Sequence, residues 1–170
     1  MGNYKGEDRL ERHFTTEYLY KYMNEEVLKR YYKGEITEFL ENSAGDGRMV
    51  DYLKSEYNLP VLACDISNDY EREDITECNY LKTKIGYKKG RVGFINPPFN
   101  KGLKFIYKTL EECDYCVSIL SVSSFLNIDY DKYDVDTIDI FKNYDFDSCK
   151  TTICIIGISK RKKYNVNIIK

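Results

Sequence analysis

Tryptophan is missing from the 170 residues, and proline (3) and histidine (1) are scarce. The single histidine, His13, leaves too few ligands for a paired Cys/His metal site. Six cysteines are present, mostly within apolar runs, and Cys113-Asp114-Tyr115-Cys116 is a lone CxxC without a second pair. They read as reduced core thiols, and no metal is expected. Long apolar runs are also lacking. None approaches the ~20 residues that cross a bilayer, and no secretory signal opens the chain, so a cytoplasmic protein without membrane contact is expected. Charge of one sign is lacking too. With 26 Lys and Arg against 28 Asp and Glu, the net charge of −2 does not advertise nucleic-acid binding. Any polyanion would have to meet a local patch.

What is present suits one soluble domain: 42% hydrophobic and 32% charged residues, over a length that buries a sizeable core. The 17 tyrosines, with abundant Lys, Asn and Ile, read as coding bias. Residues 1–12 are polar and charged, a flexible arm. Residues 13–170 read as a single domain without repeats or linkers. Thr15 or Thr16 suits an N-cap, and the stripe Tyr18, Leu19, Tyr22, Met23, Val27, Leu28 and Tyr31 predicts a helix ended by Gly34. Strands are predicted over residues 36–40, 60–64, 92–95, 115–120 and 151–158, with a short one over 138–141. Helices are predicted over 48–53 and 101–112, a short helix or turn over 121–126, and an amphipathic stretch from 74 to about 84. Alternating strands and helices imply an α/β, doubly wound, mostly parallel sheet. The last two strands have no helix between them, which suits an antiparallel pair at the edge.

Ile95-Asn96-Pro97-Pro98-Phe99 stands out. The apolar run before it ends on two prolines, which cannot donate to a sheet ladder and fix their own φ. Asn96 is thereby held rigidly just past a strand end, on the edge where open α/β sheets bind ligands. A plain type I turn is the bland alternative. Asn42-Ser43-Ala44-Gly45-Asp46-Gly47 lies between a strand and a helix, where glycines admit a close ligand and the helix start offers free N–H groups. It matches neither G-x-G-x-x-G nor the lysine-ended phosphate loop, so triphosphate binding is not expected. Asp65 ends the second strand, 20 residues beyond Gly45, where a carboxylate can accept both ribose hydroxyls or simply shape a turn. Asp74, near a third strand end, can take an adenine amino group or stay a solvated charge.

Together these elements describe one pocket, and a resemblance becomes specific. Phe39-Leu40-Glu41-Asn42-Ser43-Ala44-Gly45-Asp46-Gly47 followed by Asn96-Pro97-Pro98-Phe99 resembles the S-adenosylmethionine-dependent amino-methyltransferases, above all the DNA N6-adenine family. That family's motif is Asp/Asn-Pro-Pro-Tyr/Phe, and its cofactor loop often reads close to Glu-Pro-Ser-Ala-Gly-Asp-Gly; Asn42 stands where Pro is usual. His13-Phe14-Thr15-Thr16 is similar to its Phe-Thr-Pro element, which closes over the methionine part of the cofactor. Residues 121–126 are similar to its Pro-x-Ser-Phe-Leu; both lack the Pro. The likeness spans most of residues 13–160. It implies a Rossmann-like, mostly parallel seven-stranded sheet with an antiparallel edge strand, a catalytic domain over 13–170, and S-adenosylmethionine as cofactor. It further implies cofactor binding by Phe14, Thr15, Glu41, Asn42, Ser43, Ala44, Gly45, Gly47, Asp65, Ile66, Asp74, Ile75 and Asn96. Asn96, Pro97, Pro98 and Phe99 would form the catalytic motif, and Asn100 and Lys101 would meet substrate.

The chemistry suits those residue types. An amine conjugated to a purine is a poor nucleophile. The Asn96 side-chain oxygen and the Pro97 carbonyl can each accept one of its N–H groups, turning the lone pair toward a sulfonium methyl. Phe99 would stack on an unpaired base. Adenine in DNA, rather than RNA, is the expected substrate. No stretch is long enough for a target-recognition domain, so a separate recognition subunit would supply specificity. Lys82, Lys84, Lys88, Lys89, Arg91 and residues 160–163 are candidate substrate contacts or merely solvated charges. Residues 127–147, with seven Asp against two Lys, would repel phosphate or dock a basic partner. Methylation of RNA adenine or of a protein glutamine amide, and a catalytically idle cofactor-binding subunit of a larger complex, are the alternatives.

Overall fold

The computed structural model of the protein describes residues 14–146 and 149–161. The expected arm, His13 and the basic positions Lys162 and Lys163 lie outside the described residues. Among the described residues seven strands make one sheet: β1 (Glu38–Glu41), β2 (Val61–Asp65), β3 (Thr76–Glu77), β4 (Arg91–Ile95), β5 (Tyr115–Ser121), β6 (Tyr133–Phe146) and β7 (Cys149–Lys160). Their order is β3-β2-β1-β4-β5-β7-β6. The first five pair in parallel, whereas β7 pairs antiparallel with both β5 and β6. The reversed strand thus sits one place in from the edge, and β6 closes the sheet.

Each central strand alternates its side chains between two apolar layers, as a strand buried on both faces must. Phe39, Phe94, Val117, Ile119, Ile153 and Ile155 face one core, and Leu40, Ile95, Cys116, Leu120, Cys154 and Ile156 face the other. Helix α1 (Glu17–Tyr22) runs on through a π-helical stretch (Met23–Leu28) and a last turn (Lys29–Tyr31). Its Leu19, Met23 and Val27 recur at four-residue spacing and cover the first core together with Met49 and Leu53 of α2 (Arg48–Tyr57). On the opposite face α3 (Gly102–Glu112) buries Phe105, Ile106 and Leu110. A single turn of helix, α4 (Val122–Phe125), follows β5.

Two segments depart from expectation. The strand expected over 138–141 is a 14-residue β6. Register shifts between Val135 and Thr137 and between Phe141 and Tyr144 break its alternation, so no period of two runs through it. Residues 74–84 are not one amphipathic element. They hold two-residue β3 and a 3-10 turn at Tyr80–Lys82, kept beside β2 by the Cys78 amide donating to the Asp65 carbonyl at 2.7 Å. Arg91 and Lys88, candidate substrate contacts, both pair with Glu38, at 2.6 and 3.0 Å, and Arg91 is buried.

The sheet order places the site. The chain leaves β1 toward α2 on one face and leaves β4 toward α3 on the other. Because β1 and β4 are neighbours, a crevice opens between their carboxyl ends. Close packing at the far side of the sheet is as demanding. A Cβ on Gly157 of β7 would run into the Tyr115 hydroxyl. Gly157→Ala is therefore expected to cost about 1–3 kcal/mol through overpacking, read as a lowered denaturant midpoint at unchanged slope.

Candidate active site

A cavity of about 290 Å³ occupies that crevice. Its floor is the loop between β1 and α2, where Gly45 (φ +53°) and Gly47 (φ +82°) take left-handed conformations. A Cβ on Gly45 would stand 3.2 Å from the Phe14 ring, and one on Gly47 would meet the Arg72 guanidinium, so both positions are closed to larger residues. Carboxyl groups from the strand ends hold the loop. Asp65 Oδ2 accepts from the Gly45 amide at 2.8 Å, and Glu41 Oε1 accepts from the Ser43 amide and hydroxyl at 3.0 and 3.1 Å.

The roof comes from ahead of α1. Phe14 and Thr15 lie across the loop; Arg48 sits 5.3 Å from the Phe14 ring centroid, and the Tyr70 ring meets it edge-on at 6.0 Å. Thr15, 4% exposed, accepts a hydrogen bond from Asn96 Nδ2 at 3.0 Å, which joins the roof to the end of β4. The Thr16 hydroxyl bonds that of Tyr144 on β6.

Most expected site residues meet here. Phe14, Thr15, Asn42, Ser43, Ala44 and Gly45 line the cavity, as do Asp65, Ile66, Asn96, Pro98, Asn100 and Lys101. Others do not. Glu41 is fully buried behind the loop, and its role is to hold Ser43. Gly47 lies one turn back, under Arg72. Ile75 packs with Val50 and Ala63 in a small apolar cluster. Asp74 is committed elsewhere: Arg72 Nε and Nη2 reach it at 2.9 Å and Lys54 at 2.6 Å. Those two cations, Arg72 first, hold the Asp74 carboxyl well below the usual carboxylate range. The acidic loop folds back on α2 because Arg72 also grips Asp51, at 2.6 and 2.8 Å. Phe99 turns inward, its ring 6.1 Å from that of Phe146, and Pro97 is buried. Neither lines the cavity.

Beside the candidate substrate contact Lys82, the cavity wall contains residues that the pattern of motifs did not single out for it: Arg48 and Met49 at the start of α2, Phe105 of α3, and residues 78–81. Lys82 and Lys101 both line it, which supplies the local positive charge that the net charge lacks. Among the described residues no cluster of three or more His, Cys, Asp or Glu could hold a metal ion, and no helix is long and apolar enough to cross a membrane. Cys64, Cys78, Cys113, Cys116 and Cys154 are free thiols.

Burial pushes the Glu41 carboxyl up to about 8, the Ser43 hydrogen bonds only partly opposing it. Between its ordinary 4.5 and about 8 the folded chain keeps a proton that the unfolded chain has released, so stability falls as pH rises through that window. Glu41→Gln removes the titration. Its stability relative to wild type should rise steadily from about pH 4.5 to about pH 8 and level off above, measured by urea unfolding; a difference independent of pH would contradict the buried neutral acid.

No protein-family model matches the sequence, and no curated protein matches it significantly. Solved structures do match in fold. The 23S rRNA methyltransferase ErmE superposes with a TM-score of 0.69 at 10% identity, over 88% of this chain and 70% of that one. A putative RNA methyltransferase, PH1948 from Pyrococcus horikoshii, gives 0.67 at 14% identity over 94% and 93%. A type I restriction-modification methyltransferase subunit from Streptococcus thermophilus gives 0.64 at 9% identity, over 88% of this chain and 45% of that subunit. The chain has the Rossmann-like α/β fold of these methyltransferases.

Proposed function

We propose that the chain is an S-adenosylmethionine-dependent methyltransferase acting on an exocyclic amino nitrogen, N6 of adenine in nucleic acid. The observation that carries this reading is the meeting of Asn96, the Gly45 loop and Asp65 in one cavity at the switch point of the sheet. The donor set fits a nucleoside cofactor. Asn42 lines the cavity and its buried Oδ1 has no partner among the described residues, Asp65 has lone pairs beyond those it gives Gly45 and Ser67, and Gly45 leaves the backbone bare there. Phe14, Thr15, Ser43, Ala44, Gly45 and Asp65 would hold the cofactor, which when bound supplies an electrophilic methyl on a sulfonium.

The chain's own residues then orient and accept. Thr15 takes a hydrogen of the Asn96 amide. The Asn96 oxygen accepts one N–H of the target amine, which turns the nitrogen's lone pair toward the methyl. Phe14 and Thr15 cover the site and keep water out. Lys82, Asn100 and Lys101 at the cavity wall face a phosphate backbone, the polyanion contact that a near-neutral chain must make locally. The Asn96-Pro97-Pro98-Phe99 motif favours DNA, with sequence specificity supplied by a separate recognition subunit. RNA is the second reading, favoured by the two superposed proteins described as RNA methyltransferases.

Calorimetry on cofactor-stripped protein should show one S-adenosylmethionine per chain; no heat of binding would end the proposal. With tritiated cofactor, label should enter a DNA pool, whereas label in RNA alone selects the second reading, and label in protein alone the glutamine alternative. Asn96→Ala should lower transfer by about 10²–10³ or more with cofactor affinity nearly intact. Equal loss of both would make Asn96 structural.

A further inference from the structure

Behind the cavity wall runs a buried chain of hydrogen bonds whose direction is set from one end. Lys108 Nζ and the Ile85 amide both donate to Glu112 Oε1, at 2.6 and 3.1 Å. Glu112 is therefore an ion-paired carboxylate, able only to accept. The Tyr80 hydroxyl donates to its other oxygen, Oε2, at 2.8 Å. Burial above all, and the Glu112 charge, hold the Tyr80 hydroxyl well above its ordinary pKa, so it stays a donor. Its oxygen is left to accept, and the Thr109 hydroxyl, 3.3 Å away, supplies the hydrogen. Thr109 Oγ1 then accepts from Asn42 Nδ2 at 2.8 Å.

The polarity has a consequence four residues along the relay. With its NH2 group claimed by Thr109, the Asn42 amide cannot be turned over, because its oxygen would then face an oxygen whose hydrogen is committed to Tyr80. Asn42 is 2% exposed and lines the cavity, and its Oδ1 has no hydrogen-bond partner among the described residues. A buried acceptor left open is costly unless a ligand fills it. The relay is also built into the sheet: Gly93 of β4 leaves room for Thr109, whose methyl a Cβ there would strike, and the Lys108 ammonium lies 4.4 Å from the centroid of the Tyr80 ring.

We infer that Thr109, Tyr80 and Glu112 are positioning residues that aim the Asn42 carbonyl oxygen at an N–H or O–H donor of the bound nucleoside cofactor. This rests on the methyltransferase reading above. Asn42 is then a fixed acceptor, and its setting depends on a carboxylate that the cofactor never meets.

The test is calorimetric binding of S-adenosylhomocysteine, with thermal melting alongside, for wild type, Thr109→Val, Thr109→Ser and Glu112→Gln. Thr109→Val keeps the shape and removes the hydroxyl, and should weaken binding about tenfold, one lost hydrogen bond's worth. Thr109→Ser keeps the hydroxyl and should bind within about twofold of wild type even if its melting temperature falls. Glu112→Gln can donate to Tyr80, frees the direction of the relay, and should weaken binding as Thr109→Val does. 5′-Methylthioadenosine locates the donor: equal weakening for both ligands places it on the nucleoside, weakening for S-adenosylhomocysteine alone on its amino-acid end. A folded Thr109→Val with wild-type affinity overturns the relay alone; if that variant does not fold, wild-type affinity in Glu112→Gln does so. Absence of binding by wild type overturns the relay together with the methyltransferase reading.

Discussion

The structure depends on keeping a stretch of backbone bare toward the cavity while satisfying its amides from behind. Backbone N–H groups removed from water need partners, and a loop that offers one face to a ligand cannot find them on that face. Here two acids at strand ends supply them. Asp65, closing β2, takes the Gly45 amide, and Glu41, closing β1, takes that of Ser43. The loop is thus tied to the ends of two neighbouring strands, β1 and β2. Arg72 locks the reverse side through Asp51 and Asp74, and Phe14 lies across the front. A loop of small residues becomes rigid by means of its neighbours' side chains.

A second regularity is the use of threonine to set amides. Asn42 and Asn96 stand at the carboxyl ends of adjacent strands, and each gives an amide hydrogen to a threonine hydroxyl, Thr109 in one case and Thr15 in the other. A side-chain amide is nearly symmetric in shape and can present either end. A hydroxyl whose own hydrogen is directed elsewhere breaks that symmetry. The two threonines come from different elements, one from α3 and one from the segment before α1, so the amides are set from opposite sides of the sheet edge.

The sheet was legible because its central strands are buried on both faces and read as short apolar runs such as Val92, Phe94 and Ile95 or residues 115–120. The glycine loop and Asn96 were legible for a different reason: their residue types make little sense as packing. What stayed hidden was decided by long-range partners. Asp74 looks like any strand-end acid until Arg72 and Lys54 are seen to surround it. Phe99 follows the motif like a stacking ring, but the Phe146 side chain, 47 residues on, gives it an apolar neighbour inside. Residues 78–82 form cavity wall without helical or strand periodicity, being placed by the Cys78 amide and the Tyr80 hydroxyl. The local sequence carries no mark of either bond.

The sheet ends on its longest member. β6 has fourteen residues, and among the described residues no strand lies beyond it in the sheet order, so its outer amides and carbonyls form a template on which another extended chain could assemble. Two features oppose that. The register shifts at Val135/Thr137 and Phe141/Tyr144, with Asn143 at φ +51°, bend the strand out of a straight pairing line. Asp134, Asp136, Asp139 and Asp145 load it with negative charge, so a second β6 brought alongside would meet its own repulsion. The acidic segment thus guards against self-association, turning away fibre-like growth along the long rim that β6 presents among the described residues.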